Sequence, residues 1–208
     1  MKPLTAAAFK ASMARRDNRV YAGVFGAMFL VESLIDAGLE DIAWRILTQH
    51  GFPSYQYFFD KGLTTIPEWW DPFPEHQISE YWKKFTGDGD QGEVFGSLCH
   101  MEFGSVLDAI IKYVFGFRQE HDSCGYRKVI IHPRFTDRLP AARGRFESVH
   151  GTYRLEWKRE GTGVHFIIEI PDGCSGELMP IGSNAVPVIL PAGRTEITIP
   201  SRSQEDSL

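Results

Sequence analysis

Hydrophobic positions along the first half of the chain recur with helical spacing. Leu4–Ala14 is rich in Ala and reads as a first helix, ending at the polar run Arg15-Arg16-Asp17-Asn18-Arg19. Val20, Val24, Met28, Val31 and Ile35 then fall at intervals of four, four, three and four, which predicts a second helix. Gly23, Gly26 and Ala27 on or near that stripe permit close helix approach. Leu39, Ile42, Ala43, Ile46 and Leu47 form a second stripe, stopped at Gly51. The short Asp36-Ala37-Gly38 break predicts an antiparallel helical hairpin.

From Phe52 to Asp71 the pattern dissolves into Pro, Gly and aromatic residues, a connection long enough to carry function or to fold into short elements. Ile78, Tyr81, Trp82 and Phe85 mark a short amphipathic helix, and Gly87–Gly92 reads as a solvated loop, since its aspartates lack the glutamate that ends an EF-hand loop. Phe103, Val106, Leu107, Ile110, Ile111 and Val114 predict another helix starting near Cys99 and stopped at Gly116. After Gly125 the period changes to two. Strands are expected at Val129–His132, around Tyr153–Trp157 and over Val164–Ile170, the last two joined by a Gly161-Thr162-Gly163 hairpin. Weaker strands follow at Glu177–Met179, Val186–Leu190 and Thr195–Ile199, before a polar tail, 201–208, expected to be disordered. Helices followed by strands predict an α+β chain of two segregated units, helices over 1–120 and an antiparallel β-sandwich over 121–200.

Composition narrows the function classes. The 208 residues are 43% hydrophobic and 24% charged, as in a soluble globular protein. A net charge of −5 argues against nucleic acid as a partner, because phosphate binding needs a concentrated basic face. No apolar run has membrane-spanning length and the amino terminus does not read as a signal peptide, so the default expectation is cytoplasmic. The three cysteines, Cys99, Cys124 and Cys174, read as reduced thiols. His121-x-x-Cys124 and Cys99-His100 contain metal-type ligands without the paired Cys-x-x-Cys of a zinc site, so neither metal nor cofactor is expected. Trp44, Trp82 and Trp157 are expected in the core.

The stretch Gly62-Leu63-Thr64-Thr65-Ile66-Pro67-Glu68-Trp69-Trp70-Asp71 carries the chemistry. Pro67 biases Ile66 away from helix, which leaves Glu68 on an irregular segment or a helix start. A carboxylate walled by indole rings loses water on one side and is suited to proton transfer. Flat aromatic faces beside acids also suit a sugar ring. The competing reading makes the tryptophans core and Glu68 a helix cap. His100 and Glu102, at the start of the later helix, are expected at the same mouth, and Tyr55 and Tyr57 share the loop-rich stretch.

The order of motifs resembles the C-terminal part of glycoside hydrolase family 78, the bacterial α-L-rhamnosidases. The matching pieces are Tyr21–Gly26, the hairpin through Asp41-Ile42-Ala43, Phe52-Pro53-Ser54-Tyr55 and Gly62–Asp71. They continue with Ser97–His100 leading into Phe103–Val106, then Gly125–Pro133, Gly151-Thr152-Tyr153 and Trp157-Lys158. The Gly62–Asp71 run is similar to the family's Gly-Ala-Thr-Thr-x-Trp-Glu-x-Trp. It departs at Pro67, where the family usually has Trp, and at Trp69, often Arg; Cys99 stands where Asn usually precedes the histidine.

The resemblance implies part of an (α/α)6 six-hairpin barrel followed by a β-sandwich, and an inverting glycosidase acting on a rhamnoside-type carbohydrate. It implies that Glu68 is the general base, with Trp70, His100, Trp69 and Tyr55 around the sugar. The general acid would lie upstream, so a C-terminal fragment is expected, completed by an upstream barrel fragment or by self-association through exposed apolar helices. The alternative is a non-catalytic carbohydrate-binding or structural module derived from that family.

Overall fold

The computed structural model describes residues 3–20, 22–68, 70, 97–179 and 186–200. They divide into two compact units, Met1–Leu107 and Asp108–Leu208.

In the first unit, α1 (Pro3–Ala14) is followed by α2 (Val24–Asp36) and α3 (Glu40–Thr48). The α2–α3 reversal is set by its backbone. Gly38 takes φ +71°, its amide reaches Ile35 O at 2.9 Å, and the Leu39 amide reaches Leu34 O at 2.8 Å, so the last carbonyls of α2 are capped. The α2 core face is shifted from the sequence stripe. Ala27, Val31, Leu34 and Ile35 are buried, whereas Met28 is exposed along with Phe25 and Phe29. Ala43, Trp44 and Ile46 of α3 are buried, Trp44 completely, as expected of a core tryptophan. The polar turn after α1 is tied to the end of α3: Arg19 donates to the carbonyls of His50 and Gly51, and Arg45 pairs with Asp17 at 2.8 Å.

Part of the stretch read as patternless is a helix, α4 (Tyr55–Asp60). Ser54, fully buried, accepts from the Tyr57 amide and donates to Gly51 O at 2.7 Å. At the other end Gly62, φ +82°, and Leu63 repeat the capping seen after α2, onto Phe59 O and Phe58 O. The helix expected to run from Cys99 to Val114 is broken. It forms α5 (Met101–Gly104), α6 (Val106–Ala109) and a π-helical turn, Ile110–Val114. At the first break the Ser105 hydroxyl sits 2.5 Å from Glu102 O, in its own segment, and 3.2 Å from Met28 O of α2. The helix expected around Ile78–Phe85, the Gly87–Gly92 loop, Trp82 and the 201–208 tail lie outside the described residues.

The second unit holds two four-stranded sheets. One has the order β1 (Phe117–Gln119), β2 (Lys128–Ile131), β6 (Ser175–Leu178), β7 (Val188–Leu190). The other has the order β3 (Ala141–Ser148), β4 (Gly151–Glu160), β5 (Gly163–Ile170), β8 (Gly193–Pro200). The antiparallel sandwich expected from the period-two pattern is present, with one parallel pair, β2 with β6. β4 and β5 form the expected hairpin, Trp157 opposite Phe166 and Leu155 opposite Ile168. Tyr153, Leu155, Trp157, Val164, Phe166, Ile168 and Ile170 are all buried, each aliphatic or Phe side chain contributing about 1.5–3 kcal/mol by leaving water. Phe117 of β1 meets Phe146 of β3 at 4.9 Å and Tyr153 of β4 at 5.1 Å, closing one sheet on the other.

Candidate active site

Four of the five residues singled out for the site, Glu68, Trp70, His100 and Tyr55, gather within the first unit. The segment bearing Glu68 is pinned to the segment bearing His100 by its backbone. The Glu68 amide donates to Ser97 O at 2.8 Å, the His100 amide donates to Ile66 O at 2.9 Å, and the Thr65 hydroxyl donates to Leu98 O. Pro67, buried, has no amide to compete for a place in this pairing. Two stretches remote in sequence are thereby held at a fixed register.

The side chains follow. Glu68 Oε2 accepts from the Ser97 amide at 3.1 Å, and Oε1 lies 4.0 Å from His100 Nε2. The other ring nitrogen of His100, Nδ1, lies 2.9 Å from Glu102 Oε2. The imidazole therefore sits between two carboxylates, 2.9 Å from one and 4.0 Å from the other. All three side chains are partly shielded, with exposures of 36% for Glu68, 22% for His100 and 24% for Glu102. One oxygen of Glu68 is fixed by a backbone donor and the second is left to face the histidine. That arrangement suits an oxygen that takes a proton.

Behind the acids is an aromatic cluster. The Trp70 indole stacks on Phe58 at 5.7 Å and 6° between planes, meets the Tyr55 edge at 5.2 Å and leans on Phe103 at 4.5 Å. Its Nε1 donates to Ala22 O at 3.0 Å. Tyr55 is buried, and burial holds its phenol well above the ordinary range. His100 is 6.4 Å from Phe103, centroid to centroid, so the ring and the cluster share a wall. Trp69 lies outside the described residues. Tyr57 is buried and its ring is edge-on to Phe52.

Sequence reasoning placed Glu68 and His100 at one mouth with Glu102 nearby. It did not assign Glu102 a partner, nor Ser97 the amide that holds Glu68. The only signal for Glu102 was its two-residue spacing from His100 at a helix start. Among the described residues no three His, Cys, Asp or Glu side chains gather as metal ligands. Cys99 and Cys124 are exposed thiols and Cys174 a buried one. Among the described residues no helix is long and apolar enough to cross a membrane.

Residues 2–114 match the bacterial α-L-rhamnosidase six-hairpin glycosidase domain, and residues 116–197 match the bacterial α-L-rhamnosidase C-terminal domain. An α-L-rhamnosidase of Streptomyces avermitilis is 30% identical over 78% of this chain, and one of an Alteromonas species is 25% identical over 79%. The chain spans 15% and 16% of the lengths of those relatives. Among solved structures, the S. avermitilis α-L-rhamnosidase complexed with L-rhamnose superposes with a TM-score of 0.76 at 24% identity, over 95% of this chain and 20% of that one. The native α-L-rhamnosidase of Aspergillus terreus gives 0.77 at 21% identity, over 95% of this chain and 21% of that one. These two likenesses speak to the fold, and the chain belongs to the bacterial α-L-rhamnosidase family, matching its six-hairpin glycosidase and C-terminal domains over residues 2–114 and 116–197.

Proposed function

We infer that this chain supplies the water-activating side of an inverting glycoside hydrolase site for rhamnoside-type substrates, with Glu68 as the general base. The observation that carries the reading is the state of the Glu68 carboxylate. One oxygen is held by the Ser97 amide, and the other is directed across a 4.0 Å gap toward His100 Nε2. In a single displacement a water attacks the anomeric carbon from the face opposite the departing oxygen. It loses a proton to a carboxylate as the C–O bond to the leaving group breaks, and the leaving oxygen is protonated by an opposed carboxylic acid. Glu68 takes the water's proton. The opposed acid is supplied by other helices of the barrel, from an upstream fragment or by association with another chain through apolar helix faces such as that of Phe25, Met28 and Phe29.

Trp70 forms the aromatic wall of the sugar site, its ring held by Phe58, Tyr55, Phe103 and the Ala22 carbonyl. Tyr55 acts behind Trp70, and Trp69 is assigned to sugar binding by the family resemblance alone. His100 donates to or accepts from a sugar hydroxyl or the attacking water.

The test combines the chain with barrel helices bearing the general acid and follows hydrolysis of an aryl α-L-rhamnoside. Turnover that falls at least 100-fold in Glu68→Gln, with sugar binding retained, supports the assignment. Sugar binding with no turnover in any combination would make the chain a carbohydrate-binding module instead.

A further inference from the structure

Glu102 takes no part in the ring contacts around Trp70, yet its carboxylate lies against the imidazole of His100. Glu102 Oε2 and His100 Nδ1 are both buried, and neither makes a hydrogen bond of good geometry to any group. They lie 2.9 Å apart. Two unsatisfied buried atoms at that separation are each other's nearest remedy, a small turn of the ring completing the bond, and only if the nitrogen carries the hydrogen. A hydrogen on Nδ1 leaves Nε2 of the neutral ring as an acceptor, 4.0 Å from Glu68 Oε1.

The width of that gap is informative. A single water making two hydrogen bonds of about 2.8 Å spans 4.0 Å when the angle between them is about 90°. A water seated there donates one hydrogen to Glu68 Oε1 and the other to His100 Nε2. Its lone pairs then point away from both, toward whatever occupies the mouth. Direct contact between Nε2 and Oε1 is excluded at this distance, and two acceptors facing each other require a donor between them.

We propose that Glu102 is a positioning residue that fixes the hydrogen of His100 on Nδ1, so that His100 Nε2 and Glu68 Oε1 together seat and orient the attacking water. The water-holding part rests on Glu68 as the general base; the pairing of Glu102 with His100 does not.

The measurement is the ring-nitrogen NMR pattern of His100 in the full chain, with histidine labelled by 15N. It is recorded near pH 9, above the ordinary imidazole range, and identified by its loss in His100→Gln. The expected pattern has the hydrogen on Nδ1, and in Glu102→Gln it redistributes toward Nε2. A wild-type ring protonated on Nε2 overturns the proposal, a result that needs no variant to fold. An unchanged pattern in Glu102→Gln overturns it as well. In the hydrolase assembled with barrel helices, Glu102→Gln lowers kcat about 10- to 100-fold with KM unchanged, and Glu102→Asp recovers part of the loss. Unchanged kcat overturns the link to water. Full activity in Glu68→Gln while the His100 tautomer still responds to Glu102 removes the base assignment and leaves the pairing standing.

Discussion

Replacing Trp70 tests whether the aromatic cluster is what holds Glu68 in place. The indole makes three ring contacts, to Phe58, Tyr55 and Phe103, and one hydrogen bond, to Ala22 O. Ring pairs contribute about 0.5–1.5 kcal/mol each beyond area burial, and a net hydrogen bond about 1 kcal/mol. The ring is only partly buried, so the burial loss is below that of a core tryptophan. Trp70→Ala should therefore cost the first unit about 3–5 kcal/mol. Trp70→Phe keeps the stack and loses the Nε1 bond, costing about 1–2 kcal/mol.

Because the chain has two units, one melting curve would mix them. Native-state hydrogen exchange read by peptide separates them. The amides of Gly62, Leu63, Glu68, His100 and Gly104, each bonded to a named carbonyl, report on the first unit, and the β4–β5 amides serve as the internal control. The account requires the opening free energy of the first set to fall in the order wild type, Phe, Ala, with the control set unmoved. A loss under about 1 kcal/mol in Trp70→Ala, or an equal loss in β4–β5, would refute the cluster as a local scaffold.

Two further outcomes follow from single residues. Ser54→Ala removes a buried hydroxyl that caps α4 and bonds Gly51 O, and should cost about 1–2 kcal/mol, read in the exchange of the Tyr57 and Lys61 amides. His132 is held below its ordinary range by burial, and further by Arg134 and Arg118. Its neutral form is favoured in the fold, so its contribution is fully present above the unfolded value near 6.5 and is lost as pH falls through the lower folded value. The second unit should weaken on acidification from about pH 7, and His132→Gln should flatten that part of the pH dependence of thermal unfolding.

Much of this was legible in the sequence because burial imposes a period. The β4–β5 alternation predicts that hairpin, and the Val24–Ile35 stripe predicts α2. β3 escaped for a physical reason. Its inward positions are Ala142, Gly144, Phe146 and Ser148, and a single phenylalanine among small or polar residues does not mark a core face. Gly144 is small because the Phe115 ring fills that space: a Cβ there would lie 2.8 Å from Phe115 Cζ. Likewise α4 is signalled by its caps, Ser54 and Gly62, rather than by an apolar stripe. The sequence stripe after Cys99 carries no mark of the break, since Ser105 makes it by bonding carbonyls from two helices.

At the site, the Glu68-Trp69-Trp70 run announced itself by composition. The approach of His100 did not depend on composition; it depends on the backbone pairing of 65–68 with 97–100, which joins segments with no shared pattern. Glu102 is invisible as a partner until the imidazole has a position.

The most direct test of Glu68 as the water-activating base is chemical rescue. In Glu68→Ala, assembled with barrel helices carrying the general acid, aryl α-L-rhamnoside cleavage is measured with and without azide. Azide needs no base to attack, so the account predicts restored turnover and a β-configured rhamnosyl azide. No rescue, or an azide of retained α configuration, would contradict it.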